Sequence, residues 1–248
     1  MKKALVVLSG GQDSTTCLFL AIRDFGKENV HAVTFDYGQR HRIEISAAET
    51  IAAFAGIASH EIIKVPDCLK STSPLTSSND LERYESFTQM ENVIGKRVEL
   101  TFVPMRNTLF LTIAANRAVA LGCGSIYTGI CQEDNANYPD CRADYAQAMQ
   151  EAINKSLGED YIQIVTPLMY LSKAETVLIA HMMPACWQAL AYSHTSYDGK
   201  YPPTDDNHAN VLRAHGFEQA GLPDPLVLRA VAEGLMGLPK TSNYDEFR

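Results

Sequence analysis

The sequence predicts an α/β protein: a parallel twisted sheet with helices on both faces, followed by a small C-terminal helical lobe. Three observations carry this. Short apolar runs rich in β-branched residues alternate with longer segments of helical spacing. The strand-like runs are continuously apolar, as expected where helices cover both faces of a sheet. A Gly-Gly turn also links the first such run directly to the first helical segment. A chain of 248 residues, 46% of them hydrophobic, suits one large α/β domain with an appendage.

The elements follow in order. Residues 4–8 read as a buried strand, and 15–25 as a helix through Leu18, Leu20, Ala21 and Ile22. Residues 31–35 form a second strand, 44–55 an Ala- and Ile-rich helix ended by Gly56, and 61–65 a third strand. After a gap, 107–121 is a helix closed by Gly122, 125–128 a strand, 144–157 a helix, and 162–166 a last strand before Pro167. Two stretches break the rhythm. Residues 66–98 begin with a Ser-, Thr-, Asp- and Glu-rich segment without strong periodicity, which reads as an insertion or mobile cover. Residues 193–206 carry the Tyr, Asp, Gly and Pro-Pro composition of a loop, with short helices expected near 207–214 and 225–235. The expected organisation is a main α/β domain over 1–185 and a small lobe over 186–248 packed on it.

Charge narrows the partners. Lys+Arg 21 against Asp+Glu 29 gives 21 − 29 = −8, the opposite of the basic surface that grips nucleic-acid phosphates. The apolar run 4–8 is too short for a signal peptide, and no stretch approaches the ~18 apolar residues of a membrane helix. The expectation is a cytoplasmic protein with neither membrane nor nucleic-acid partners. Of the six cysteines, no two form a Cys-x-x-Cys pair, so they read as free thiols.

The strongest chemical signal is Ser9-Gly10-Gly11-Gln12-Asp13-Ser14-Thr15, between the first strand and first helix. Backbone N–H groups at a helix start, with glycines allowing close approach and hydroxyls adding donors, make an anion site. It is neither a Walker loop nor G-x-G-x-x-G. Ser-Gly-Gly-Gln-Asp-Ser resembles the pyrophosphate loop of the N-type ATP pyrophosphatases, the PP-loop superfamily, and so implies an adenylating enzyme with an adenine nucleotide α-hydrolase-like, Rossmann-like sheet. Further blocks follow: Thr34-Phe35-Asp36-Tyr37-Gly38-Gln39-Arg40-His41, Val103-Pro104-Met105-Arg106-Asn107 and Tyr127-Thr128-Gly129. Then come Asp134-Asn135-Ala136-Asn137-Tyr138-Pro139-Asp140-Cys141-Arg142, Thr166-Pro167-Leu168 and Ser172-Lys173-Ala174-Glu175. In this order they resemble the 7-cyano-7-deazaguanine synthase (QueC) family along the whole chain.

The resemblance implies an ATP-dependent carbon–nitrogen ligase of queuosine biosynthesis, with 7-carboxy-7-deazaguanine, ammonia and ATP as substrates, Mg²⁺ on the nucleotide, and a homodimer. The apolar Val227, Leu228 and Leu235 offer a surface for the dimer. Carried onto this chain, the catalytic set is Asp13, Arg106 and Lys173. Leu8, Ser9, Gly10, Gly11, Gln12, Asp13, Ser14, Thr15, Asp36 and Arg106 would hold the nucleotide. Phe35, Gln39, Tyr138, Asp140 and Asp134 would hold the deazaguanine, with Glu133 in reserve and His41 as an acid/base candidate. Plainer readings stand beside these: Arg106 paired with a surface carboxylate, Lys173 solvated, Asp140 capping the following helix, and Ser172 with Glu175 forming a capping box.

The chain departs from the family at one place. Most members carry four zinc cysteines near the C-terminus. Aligning Leu212-Arg213-Ala214-x-Gly216 puts these positions at Ser196, Thr204, Asn207 and Asn210, none of them cysteine. Zinc is not supported by this sequence. Cys186, His194, His208 and His215 have ligand chemistry but no standard spacing. The loss keeps open a relative that joins the deazaguanine carboxylate to another amine, as in protein conjugation for antiviral defence. A tRNA-modifying member of the superfamily, or a nucleotide-binding module without catalysis, are the remaining readings.

Overall fold

In a computed structural model, the described residues are 2–39, 42–65, 68–77, 79–132 and 136–248. Among them, strands β1 (Ala4–Val7), β2 (Val30–Asp36), β3 (Ser59–Lys64), β4 (Ser125–Tyr127) and β5 (Gln163–Val165) pair in parallel in the order β3-β2-β1-β4-β5. Ala4 lies opposite Val30 on one side and Ser125 on the other, so β1 is central. The chain builds outward from β1 through β2 and β3, then returns to add β4 and β5 on the far side. That reversal opens a crevice beyond the carboxyl ends of β1 and β4, where ligands of open α/β sheets bind.

The helices are α1 (Gln12–Phe25), α2 (Ile43–Ala55), α3 (Phe87–Ile94), α4 (Arg106–Leu121), α5 (Ala143–Leu157), α6 (Lys173–His181), α7 (Pro184–Leu190), α8 (His208–Gln219) and α9 (Pro225–Ala232). Strand side chains alternate between faces. Ala4, Val6, Val30 and Ala32 join one core with α1, α2, α6 and α7; Leu5, Val33 and Ile63 join the other with α4 and α5. Two buried faces account for the unbroken apolar runs of the central strands. The edge strand β3 differs: it alternates exposed and partly buried residues along most of its length, because β2 alone pairs with it.

Cys186, Ala189 and Leu190 of α7 and Phe217 of α8 belong to the core that contains α1 and β1. The C-terminal segment therefore shares the main hydrophobic core. It is also locked by Arg213, whose guanidinium donates to both Asp224 oxygens at 2.6 and 2.8 Å and to Ser193 Oγ at 2.9 Å.

Several elements differ from expectation. Helix α1 starts at Gln12, three residues early, so Gly11 is its N-cap and the motif runs on into its first turn. Residues 66–98 contain α3, whose Met90 and Ile94 pack with Tyr84 and Leu212 of α8. The spacing Phe87, Met90, Ile94 was its helical signal, diluted by polar neighbours. Helix α7 is too short to show a period, and Pro184 at its start is its one strong local cue. Helix α8 runs on to Gln219; its buried side includes His208, Asn210 and Arg213, so an apolar pattern could not reveal its length. Helix α9 stops at Ala232. Among the described residues no helix is long and apolar enough to cross a membrane, and no two cysteines are joined in a disulfide.

Candidate active site

The loop after β1 is shaped by two features. Gly10 has φ +86°, and a Cβ there would lie 2.4 Å from the carbonyl oxygen of Glu44 in α2, so only glycine fits. Gly11 then starts α1 without any side-chain cap, leaving the first-turn N–H groups for a ligand. Hydroxyls brace the turn: Ser9 N–H donates to Ser14 Oγ at 3.1 Å, and Thr15 Oγ1 donates to the Gly11 carbonyl at 2.7 Å.

This loop forms one end of a cavity of about 310 Å³. Lys173, at the start of α6, reaches across to the loop. Its Nζ lies 2.9 and 3.1 Å from the two Asp13 oxygens. Gly216 of α8 makes room for it: a Cβ there would lie 2.4 Å from Lys173 Cγ. The turn before α6 is held by the Ser172–Glu175 capping box. Arg106 enters from the first turn of α4, and Met105 before it has φ 66°, a strained value for a non-glycine. Tyr197, with His194, Thr195 and Ser196, closes the cavity from the C-terminal segment. That roof is tied directly to the loop, since His194 N–H donates to the Gly10 carbonyl at 2.8 Å.

Burial opposes the charge on Arg106, but Tyr37, Tyr138, Tyr197 and Asp140 nearby outweigh it and hold the guanidinium charged. None of its contacts is an ion pair with a carboxylate within 4 Å among the described residues. A permanent cation aimed into a cavity without a tight anionic partner is a place for a ligand's charge. Burial pushes the Glu44 carboxyl up to about 7, with Arg106 pulling the other way. Glu44 lines the same cavity. Burial likewise raises the Asp140 carboxyl, against the pull of Arg106 and hydrogen bonds involving Asn107.

The family model for queuosine biosynthesis protein QueC matches residues 3–221. The chain belongs to this family. It is 47% identical over 230 residues to a 7-cyano-7-deazaguanine synthase of Gloeobacter violaceus, covering 91% of this chain and 96% of that one. A protein of the same name from Chromobacterium violaceum is 46% identical over 233 residues, covering 94% and 96%. A third, from Laribacter hongkongensis, is 47% identical over 230 residues, covering 91% and 94%.

Of the residues singled out in the QueC motifs, Leu8, Ser9, Gly11, Gln12, Asp13 and Ser14 line the cavity, as do Arg106, Lys173, Phe35, Gln39 and Tyr138. Lys173 is paired with Asp13 and not simply solvated. Gly10 and Thr15 support the loop from behind. Others land differently. Asp36 caps the end of β2 but is engaged by Arg42 at 2.7 Å, off the cavity wall. Gln39 has both ends of its amide on backbone, accepting from Tyr37 N–H at 2.9 Å and donating to the Phe35 carbonyl at 3.3 Å. Phe35 already stacks on Phe110, centroids 4.2 Å apart and planes within 6°. Asp140 is buried in a short 3₁₀ turn behind the wall, its carbonyl accepting from Asn107 Nδ2 at 3.3 Å. Asp134, Glu133 and His41 lie outside the described residues.

The sequence reading passed over Glu44, Phe110, Tyr37 and Tyr197, which also line the cavity. Tyr37 stood inside a recognised motif and Glu44 three residues beyond it; Phe110 and Tyr197 are placed by helix packing and loop closure, with no local signal. The four positions of the family's zinc cysteines do not fit zinc. Thr204 is exposed, and Ser196, Asn207 and Asn210 aim hydroxyl and amide N–H donors at the Asp205 carboxylate. Cys186, His194, His208 and His215 do not gather either. No group of three metal-ligating side chains occurs among the described residues. Cys186 is in the core, its thiol pushed up by burial to about 12, and His215 stacks on Phe87 at 3.7 Å.

Proposed function

We propose that the chain converts 7-carboxy-7-deazaguanine, ammonia and ATP into 7-cyano-7-deazaguanine. The observation that carries this reading is the convergence, on one cavity, of an uncapped helix N-terminus, the Lys173–Asp13 pair and the Arg106 guanidinium. The name borne by the relatives, matched over nearly their full length, agrees with it. None of the comparisons supports the amine-conjugating alternative.

The chemistry needs two activations. A carboxylate oxygen of the substrate attacks the α-phosphorus of ATP, and the bond to pyrophosphate breaks. Ammonia adds to the acyl carbon, AMP leaves with its oxygen, and a proton departs to give the amide. A second ATP adenylates the amide oxygen. Loss of AMP and the remaining N–H protons leaves the nitrile. In each activation negative charge grows on the phosphates, and fixed donors in a shielded cavity stabilise it without reorganising.

The α1 N-terminus holds the pyrophosphate. Lys173 neutralises Asp13 and the phosphates beside it, and Arg106 faces the substrate carboxylate or the α-phosphate. Asp13 offers a hard oxygen at the loop that fits Mg²⁺, which when bound adds further charge to the phosphates. Glu44, titrating near 7, exchanges a proton with the incoming amine. Tyr138 is left to contact the deazaguanine ring.

The test is mass spectrometry on the three substrates with purified protein. Nitrile and AMP are expected. Amide alone, or no AMP from well-folded protein, overturns the proposal. Pairing into a homodimer belongs to the same reading. Leu235 is exposed while Val227 and Leu228 are partly buried, and sedimentation at two concentrations checks it.

A further inference from the structure

The cavity roof is built from two strips of chain, 194–197 and the first turns of α8, where His208, Ala209, Leu212 and Arg213 line it. Neither lies in a strand, and the loop between them holds Gly199 and Pro202-Pro203. Arg213 ties α8 to Ser193 and Thr195 at one end, donating to Ser193 Oγ at 2.9 Å and Thr195 Oγ1 at 2.8 Å, and a second clamp joins the strips at the start of α8. The side chain between them is Asp205.

One of its oxygens accepts from Ser196 Oγ at 2.8 Å and also from Asn207 Nδ2. The other accepts from Asn210 Nδ2. Ser196 Oγ in turn accepts from the N–H groups of Asp198 at 3.2 Å and Lys200 at 3.4 Å, closing the turn. Asn207 Oδ1 caps α8 by accepting from Asn210 N–H at 3.2 Å. One carboxylate thus gathers donors from three of the four places where zinc-bearing relatives carry cysteine.

The clamp also reaches the segment inserted between β3 and α4. Arg83 bridges Asp198 at 2.5 Å and Asp206 at 3.3 Å, and Tyr84 N–H donates to the Asp206 carbonyl at 2.8 Å. Loop, inserted segment and α8 meet around this residue.

We propose that Asp205 is a positioning residue that closes the cavity roof without metal, its carboxylate doing with hydrogen bonds what four thiolates and an ion do in zinc-bearing relatives. The physical logic is charge inversion. A zinc site is a central cation ringed by anions; here a central anion is ringed by neutral donors. Charge-assisted hydrogen bonds to a carboxylate are about twice as strong as neutral ones, and three of them replace a bonded network. The residues affected at the cavity are Tyr197, beside Ser196, and His208, beside Asn207. None of the clamp's hydrogen bonds reaches the Lys173–Asp13 pair, and the roof meets the loop through His194 N–H on the Gly10 carbonyl, two residues before Ser196.

The test compares wild type, Asp205→Asn and Ser196→Ala. Asparagine keeps the shape but sets an amide N–H₂ against the N–H₂ of Asn207 or Asn210. Wild type is expected to carry no stoichiometric metal by elemental analysis, and its melting temperature to be the same with and without EDTA. D205N is expected to melt lower, to be cut faster by protease within 193–210, and not to recover on adding zinc. S196A, which removes one donor and leaves the carboxylate, is expected to fall between the two and covers the case in which D205N does not fold.

The kinetic arm rests on the function proposed above. It expects D205N to raise KM for the deazaguanine acid about tenfold, the loss of one charged hydrogen-bond set, with kcat and the KM for ATP changed by less than about twofold. One equivalent of zinc, calcium or another ion in wild type, removable with a fall in melting temperature, overturns the proposal. So does a D205N protein indistinguishable from wild type in melting and proteolysis. If wild type makes no nitrile, the proposed function fails, while the metal and melting results still decide the role of Asp205.

Discussion

The floor and the roof of the cavity are built on different principles. The floor is one continuous segment, β1 into α1, where a glycine with φ +86° and an uncapped helix start make the anion site by themselves. The roof is assembled from side-chain contacts between separate segments: Arg213 reaching Asp224 and Ser193, Asp205 gathering Ser196 and Asn210, Arg83 bridging to Asp198. A floor of this kind tolerates little change in its own residues, and its distant partners, Lys173 on Asp13 and His194 on Gly10, reach it from α6 and from the roof. The roof spreads its order over polar contacts and can exchange one set for another. That is how a chain retains the Gly-Gly loop while four cysteine positions differ.

The largest effect expected is on the roof's stability. Arg213 and Asp224 are 4% and 5% exposed, so removing one partner strands a buried charge. Asp224→Ala should lower unfolding free energy by about 3–5 kcal/mol, measured by denaturant titration, while the double change Arg213→Met with Asp224→Leu should recover much of it. A loss under about 1 kcal/mol would mean that water already reaches the pair and the roof is not closed.

Next comes the wall between them. Arg106→Ala should lower kcat/KM about 10²–10³-fold with the melting temperature nearly kept, since the guanidinium faces the cavity without a carboxylate partner within 4 Å among the described residues. Rescue by Arg106→Lys to near wild-type rate would show that a point charge suffices and that planar, two-point contact is not used.

The smallest effect concerns Glu44, which joins floor and wall. Its folded value near 7 lies above the 4.5 of an ordinary glutamate. Folded protein therefore binds this proton more tightly than unfolded chain. The contribution is fully present below about pH 4.5 and is lost as pH rises through about 7. Wild type minus Glu44→Gln should show stability falling by on the order of 2 kcal/mol across that window in unfolding curves. A flat difference would mean that Glu44 ionises freely into solvent.

Much of the fold was legible because its signals are local. Continuous apolar runs marked the central strands, and Gly56 and Gly122 closed α2 and α4 in left-handed caps. The Ser172–Glu175 box was readable from spacing alone. What escaped had weak local signals: α7 is seven residues long with Pro184 as its cue, and the full length of α8 was hidden because it buries His208, Asn210 and Arg213 among its apolar residues. Of the residues that line the cavity, Ser9, Gly11, Gln12, Asp13, Ser14, Arg106 and Lys173 had been singled out from motifs. Asp36 and Gln39 stood in a motif too, yet one is spent on Arg42 and the other on backbone. Tyr197 and Asp205 stood in a stretch whose composition said only loop.

The amino-acid sequence by itself determined the sheet, the Gly-Gly loop and the absence of cysteines at the four positions, because periodicity, glycine stereochemistry and thiol chemistry act within a few residues. Which side chains face one another across the cavity was decided only by tertiary structure. Hydrogen-bond and ion-pair partners such as Lys173 with Asp13, 160 positions apart, exist only once the sheet has brought them within 3 Å. Their energies depend on the burial that the same packing creates.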